Sequence, residues 1–130
     1  MTSFLLPADE LEYAVLTKLW ELGTASVREL HDQMGEPSRV YTTTAKVIDR
    51  LRGKGLIQRQ RSGKAFVYRP KVARPAVESA RAQQAVNRLL GATPHAAVAA
   101  LVEAVDTFDP RLLDELERAV NARRRSKRGT

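Results

Sequence analysis

The 130-residue sequence contains no cysteine, and only 5% of its residues are aromatic. The absence of cysteine excludes a disulfide framework, thiolate metal sites and thiol redox chemistry. The longest apolar run covers residues 96–102, which is far shorter than a membrane-spanning helix requires. No charged segment followed by an apolar one, as in a secretion signal, opens the sequence. We therefore expect a soluble, cytoplasmic protein without membrane insertion.

The sequence also lacks the residue combinations on which enzymes depend. It has no glycine-rich phosphate loop, no cysteine nucleophile and no cluster of histidine with carboxylates. The two histidines, His31 and His95, stand far apart without the spacing of metal ligands, which favours packing or surface roles for both. These patterns predict a protein that is not an enzyme and that uses no metal or cofactor.

Acidic residues are nearly absent from residues 39–74, where one aspartate accompanies eleven lysines and arginines. The net charge is −5 over residues 1–38 and −3 over residues 75–122. Residues 123–130 carry five basic residues and no acid. A localised positive segment is typical of a surface that binds a polyanion. A merely solvated basic face usually has acids interspersed. We therefore expect a nucleic acid as the partner.

Residues 6–72 have the spacing of a winged helix-turn-helix domain. Apolar residues predict a first helix over residues 7–22, a short connector and a second helix. Ser26 and Glu29 have the spacing of a capping box at the start of that second helix. A third helix follows, capped by Thr42 or by the residue before it. Residues 56–61 and 65–69 then indicate two short strands around a glycine-containing turn, which would form the wing.

Residues 73–122 predict three further helices, each of which begins near a proline. Three short helices cannot bury all their apolar faces against one another, so we expect a helical domain that forms a homodimer. The residues assigned to that interface are Leu89, Leu90, Val98, Leu101, Val102, Val105, Leu112, Leu113, Leu116 and Val120. Residues 123–130 are expected to form a basic, disordered tail. The predicted fold class is mainly α, with a winged helix-turn-helix followed by this three-helix domain.

The third helix carries the residues expected to contact DNA. Short side chains allow a helix to approach the major groove closely, and a lysine can reach a guanine edge or a phosphate. Thr44 is expected to face the core instead. The recognition helix is therefore assigned Thr42, Thr43, Ala45, Lys46 and Arg50, of which Arg50 is expected to touch the DNA backbone.

The wing and the start of the third helix supply residues for phosphate contact. A hairpin that lacks acids is suited to the DNA backbone or to the adjacent minor groove. The residues assigned to this role are Arg39, Tyr41, Arg59, Arg61 and Lys64. For Tyr41, packing beneath the helix and bonding to a phosphate are equally favoured.

The stretch YTTTAKVIDRLRGKGLIQRQRSGKAFVYRP, with LEYAVLTKLWELG before it and VNRLLG and AALVEAV after it, resembles the penicillinase and methicillin-resistance repressor family (BlaI/MecI/CopY). The resemblance covers residues 6–121. It implies a homodimeric transcriptional repressor that binds an inverted-repeat operator on double-stranded DNA, in many members built on TACA/TGTA half-sites. It also implies that repression is lifted either by a membrane sensor protease or, in copper-responsive members, by metal binding to a cysteine-rich motif.

The sequence departs from that family pattern in four respects. It lacks cysteine, so the metal-binding motif is absent, and it has Ala100-Leu101 where the β-lactamase repressors are cut between asparagine and phenylalanine. Lys46 stands where many recognition helices have threonine, and Thr44 where they have valine. Two alternatives to sequence-specific repression remain: an architectural protein that coats or bends DNA, and a protein-interaction module that has lost DNA binding.

Overall fold

The computed structural model describes residues 3–35 and 39–129. These residues form six helices and one two-stranded antiparallel sheet, which confirms the predicted mainly α fold. In chain order the elements are α1 (Glu10–Leu22), α2 (Val27–Gln33), α3 (Tyr41–Gly53), β1 (Ile57–Ser62), β2 (Ala65–Pro70), α4 (Arg74–Ala92), α5 (Pro94–Phe108) and α6 (Arg111–Arg128). No helix within the described ranges is both long and apolar enough to cross a membrane.

The start of the chain differs from the predicted helix over residues 7–22. Helix α1 begins at Glu10 because the side chain of Asp9 accepts a hydrogen bond from the backbone nitrogen of Glu12, at 2.8 Å. The next helix begins as predicted, since Ser26 and Glu29 form the full capping box. Its end was predicted at the Gly35-Glu36-Pro37 stretch, of which residues 36 and 37 lie outside the described residues, and the structure ends the helix at Gln33.

The wing is a hairpin whose strands are aligned by a two-residue loop. Ser62 pairs with Ala65 at the turn, and Gly63 takes a φ of 64°, which suits the primed turns of tight hairpins. The connector before α2 joins the wing, because Ala25 and Tyr68 exchange backbone hydrogen bonds of 3.0 and 2.7 Å. This bridge attaches the wing to the helix-turn-helix.

A single hydrophobic core connects α1, α2, α3 and the hairpin. Leu16, Leu19, Leu30 and Ile48 are among its most buried members. Because these residues repeat at helical spacing, each helix turns one apolar face inward and leaves the other free. The core thereby fixes which face of α3 points outward.

The chain divides into two compact units, residues 1–82 and 83–130, rather than at the predicted boundary of residues 72 and 73. The first turns of α4 belong to the first unit because Val77 is fully buried in its core. Trp20 strengthens this attachment by donating a hydrogen bond from Nε1 to the carbonyl of Val72, at 3.0 Å. The helical spacing of apolar residues in the sequence does not indicate that α4 contributes residues to both units.

The second unit consists of the end of α4 with α5 and α6, and none of its described residues is buried. Helix α6 continues to Arg128, so the structure places residues 123–128 in a helix where we had expected a disordered tail. Basic residues in the last turn are stabilised by the negative end of the helix dipole, which favours this continuation. Gly91 lies inside α4, which ends at the next residue, Ala92.

Candidate nucleic-acid interface

Helix α3 has a buried face and an outward face, as its spacing predicts. Its buried residues are Thr44, Val47, Ile48 and Leu51. Of the residues assigned to DNA, Tyr41, Thr42, Lys46 and Arg50 are exposed, while Thr43 and Ala45 are half-buried. The structure therefore brings all of the assigned recognition residues onto one helix and leaves Lys46 and Arg50 reaching into solvent from it.

The predicted cap of α3 was wrong. The N-cap is Val40, which has no polar side chain, and its carbonyl accepts backbone hydrogen bonds from Thr43 at 3.1 Å and Thr44 at 3.4 Å. Thr42 lies inside the first turn, where its hydroxyl is not placed to cap the helix. As a result no side chain caps the first amides of α3, and the exposed Thr42 hydroxyl remains open to a ligand.

Thr44 links the recognition helix to α2. Its side chain is 1% exposed, and its Oγ1 lies 2.8 Å from Nδ1 of His31. The ring of His31 in turn meets Tyr41 edge-on, at 5.6 Å between ring centroids, and the guanidinium of Arg28 lies 4.4 Å from the centre of the Tyr41 ring. These contacts give His31 a packing role, one of the two alternatives left open by the sequence, and attach the first turn of α3 to α2.

A buried carboxylate on α1 holds the other end of α3. Glu12 is 2% exposed; its Oε2 lies 3.4 Å from Nε of Arg50, and its Oε1 accepts a hydrogen bond from Nζ of Lys54. Burial alone would raise the pKa of Glu12. The hydrogen bonds from Lys54 and from the backbone of Ala8, with the positive charge of Lys54, outweigh that effect and lower the pKa below its ordinary value.

This ion pair changes the expected role of Arg50. The residue was assigned to the DNA backbone, yet its guanidinium is engaged through Nε with Glu12 while half of the side chain stays exposed. A guanidinium has five N–H donors, so the remaining groups stay available to a phosphate. The carboxylate thus restricts the orientation of Arg50 without blocking it.

The basic residues of the wing are organised around one aromatic ring. Arg61 pairs with Phe66 across the strands, and Arg59 pairs with Tyr68. The guanidinium carbons of Arg59 and Arg61 lie 4.2 and 5.6 Å from the centre of the Phe66 ring, at cation–π distance. Lys64 is exposed in the turn beyond them.

Arg39 lies just before α3 and is half-buried. Its Nη1 is buried and has no hydrogen-bond partner among the residues that the structure describes. A buried guanidinium nitrogen without a partner is costly, and a phosphate oxygen is the kind of acceptor that would satisfy it. Its assignment to phosphate stays a prediction.

Four residues that contact the assigned DNA-binding residues were not identified from the sequence as parts of a site: Glu12, Arg28, His31 and Phe66. Phe66 falls within the predicted strand over residues 65–69, and the two-residue turn fixes the register that places it opposite Arg61. No cluster of three or more potential metal-ligating residues occurs in the described part of the chain.

Residues 9–122 match the model of the family described as the penicillinase repressor family. The chain belongs to the penicillinase repressor family. This membership covers both compact units and confirms the resemblance seen in the sequence. The protein is accordingly a DNA-binding transcriptional repressor by family.

Comparison with curated proteins finds no match. Among solved structures, Rv0081 of M. tuberculosis is 24% identical, with 65% of this chain and 81% of that chain covered and a TM-score of 0.46. A mutant MarR of E. coli complexed with operator DNA is 16% identical, with 85% and 74% covered and a TM-score of 0.47. The PcaV transcriptional regulator of Streptomyces coelicolor, in complex with its natural ligand, is 20% identical, with 92% and 79% covered and a TM-score of 0.45.

Proposed function

We propose that this repressor binds an inverted-repeat operator as a homodimer and reads its sequence with the outward face of α3. The observation that carries the proposal is the composition of that face. Thr43 and Ala45 are short and half-buried, so the helix surface can approach base edges closely, and Lys46 extends beyond them. Lys46 is then the residue most suited to a guanine edge, and Thr43 offers a methyl group and a hydroxyl to neighbouring bases.

Phosphate contacts on either side of α3 would fix its orientation on the duplex. Arg39 and Tyr41 lie at the start of the helix, and Arg50 lies toward its end. Such contacts supply affinity and register but carry no sequence information. Because Glu12 and His31 hold the two ends of α3, these phosphate-binding groups are oriented before DNA arrives, which lowers the entropic cost of binding.

The wing would add further phosphate contacts. Arg59 and Arg61 are held over the Phe66 ring, and Lys64 extends from the turn. In a winged helix the hairpin lies beside the recognition helix, so these groups are suited to the backbone or to the adjacent minor groove. Each contact that neutralises a phosphate increases both the affinity and its dependence on salt.

The homodimer is supported by apolar residues of the second unit that a single chain leaves uncovered. Val105, Leu112, Leu113 and Leu116 are half-buried where α5 and α6 meet. The remaining residues assigned to the interface stay exposed, namely Leu89, Leu90, Val98, Leu101, Val102 and Val120. Phe108, which was not assigned, is 85% exposed. A second copy that covers these faces would remove a large apolar area from water.

Induction by a membrane sensor protease is not part of this proposal. The Asn-Phe pair is replaced by Ala100-Leu101, and this bond lies within α5, Pro94–Phe108. A protease requires an extended segment, so cleavage here would need local unfolding of a hydrogen-bonded helix.

Selection of bound sequences from a random DNA pool, followed by footprinting, tests the proposal. We expect one enriched motif with two-fold symmetry and two half-sites separated by whole turns of DNA. Sedimentation at micromolar concentration should give a dimer. Equal binding to random DNA would contradict operator recognition and favour an architectural protein. A monomer in sedimentation would contradict the homodimer.

A further inference from the structure

We propose that the last turns of α6 form a second DNA-binding surface, which binds the phosphates of duplex DNA without reading its sequence. This α6 basic surface consists of the side chains of Arg123, Arg124, Arg125, Lys127 and Arg128. It is independent of the winged helix in sequence and lies in the other compact unit.

The first observation is that the apolar face of α6 stops before the helix does. Leu113, Leu116 and Val120 follow one another at helical spacing along a single face. The same spacing continues to Arg123 and Lys127, so two cations occupy the face that is apolar in the earlier turns. The end of α6 is therefore unsuited to the apolar contacts that its beginning makes.

The second observation is the density of like charge. Residues 123–130 contain five basic residues and no acid, and all five of these basic residues are exposed. Arg124 and Arg128 stand four residues apart, a spacing at which like charges destabilise a helix. A polyanion bound along this surface would remove that repulsion, so the helix end and the ligand would stabilise one another.

The chemistry of the surface selects nucleic acid over a membrane. A helix that binds a lipid surface needs large apolar side chains on the face opposite its charges. Residues 121–129 contain Ala122 as their one apolar side chain, so they offer nothing to insert between lipids. Arginines, which make up four of the five basic residues, bind phosphate groups through two N–H donors at once.

The family match adds a third observation. It ends at residue 122, and the α6 basic surface begins at the next residue. The charged turns thus lie outside the residues that the family model matches. The choice of DNA as the polyanion rests on the proposed function. Measurements on an operator duplex and on a random-sequence duplex distinguish failure of this inference from failure of the proposed function.

The test uses charge removal with a matched control in the full-length protein. The double variant Arg124→Gln with Arg125→Gln removes two charges from the α6 basic surface, and glutamine preserves the helix propensity. The control, Arg88→Gln with Arg118→Gln, removes two charges from exposed positions elsewhere in the same unit. A third variant, Arg124→Lys with Arg125→Lys, keeps both charges. Binding is measured over a range of salt concentrations on a random-sequence duplex and on the selected operator.

We expect the slope of log Kd against log salt to become shallower by about 0.9 for each phosphate that the variant no longer neutralises, which is up to about 1.8 per chain. The change should be the same on both duplexes, so the preference for the operator stays unaltered. The control and the lysine variant should keep the wild-type slope. Circular dichroism should show equal helix content in all four proteins.

The proposal is overturned if the salt slope of the double glutamine variant equals that of the control on both duplexes. If the same variant also loses binding to vesicles that contain an anionic lipid, the α6 basic surface binds a membrane instead. Failure of the proposed function gives a different result, because the wild-type protein would then bind operator and random DNA equally. The salt slopes of the variants on random DNA would still test the α6 basic surface.

Discussion

The Nε of Arg50 on the recognition helix lies 3.4 Å from Oε2 of Glu12, a carboxylate that is almost completely buried on α1. Lys54 donates to the other oxygen of the same carboxylate. One buried anion therefore fixes two cations near the end of α3. Removal of one member of such a pair leaves the buried partner charge uncompensated, so this contact contributes to the stability of α3 and to the orientation of Arg50.

Replacing Glu12 with glutamine should destabilise the protein by about 1.5–3 kcal/mol at neutral pH, the usual contribution of hydrogen bonds to charged groups. The pKa of Glu12 is lowered in the folded state, so its stabilisation is present above the ordinary carboxyl value of about 4.3. It is lost as the pH falls through the lower folded-state pKa. Urea unfolding as a function of pH should show the free energies of unfolding of wild type and variant becoming equal at low pH.

The control for that comparison is Glu10→Gln. Glu10 is exposed on the same helix and forms only a surface pair with Arg81, at 3.4 Å. Its replacement should change the free energy of unfolding by less than about 1 kcal/mol. A loss of stability in Glu12→Gln that stays constant down to the lowest pH would show that packing rather than charge accounts for the effect.

Gly55, just after α3, should tolerate no side chain. Its φ is 79°, and a Cβ placed on it would lie 3.0 Å from the backbone oxygen of Ser3. The Gly55→Ala change should therefore cost about 1–3 kcal/mol, since strained backbone and a close backbone contact combine. Leu5 donates a backbone hydrogen bond of 2.9 Å to the carbonyl of Lys54, so the N-terminal segment has little freedom to move away.

Gly53 provides the matched control, because a Cβ there meets nothing within 4 Å and the residue is helical. Gly53→Ala should leave the stability unchanged or raise it by about 0.5–1 kcal/mol. Thermal unfolding of both variants measures the difference. Equal melting temperatures for the two would contradict the close approach of the N-terminal segment to Gly55.

The elements of the winged helix were predictable because they depend on local patterns. The capping box of Ser26 and Glu29 and the inward spacing of Thr44 and Val47 need only neighbouring residues. Glu12 and Lys54, in contrast, stand 42 positions apart, and no period in the sequence indicates that they meet. Long-range ion pairs depend on tertiary packing, which is why the site could be predicted as a helix face but not as a set of oriented side chains.

Helix ends were the least predictable feature, for two different reasons. Thr42 or the residue before it was predicted as the cap because threonine caps helices, yet the N-cap of α3 is the apolar Val40, two residues before Thr42. Tyr41, the first residue of α3, contacts His31 and Arg28, so the first turn is packed against α2 although no side chain caps it. At the other end of the chain, composition predicted disorder for a basic segment that instead extends α6 to Arg128.

The roles proposed for α3 and for the wing predict different effects for two exposed lysines. Lys46→Ala should relax the choice of bases at one position of each half-site. Lys64→Ala should weaken binding to all duplexes alike and reduce the salt slope by about 1. Competition binding with operators altered at single positions separates the two effects. Identical behaviour of the two variants would contradict separate roles for the helix and the wing.

Phe66 should act on DNA binding through the arginines that it holds. Phe66→Leu keeps an apolar side chain but removes the ring face, which deprives Arg59 and Arg61 of cation–π interactions of about 0.5–1 kcal/mol each at an exposed site. We expect affinity to fall by at most about thirtyfold, the factor that corresponds to the loss of about 2 kcal/mol, on operator and random DNA alike. Phe66→Tyr retains the ring and should bind as wild type.

Nuclear magnetic relaxation of the arginine Nε groups gives the second measurement of this effect. In the free protein the Phe66→Leu change should increase the mobility of Arg59, whose guanidinium lies 4.2 Å from the ring centre, more than that of Arg61 at 5.6 Å. Reduced affinity with unchanged arginine mobility would mean that the ring supports the wing rather than the arginines. Increased mobility with unchanged affinity would mean that holding these guanidinium groups in place contributes nothing to DNA binding.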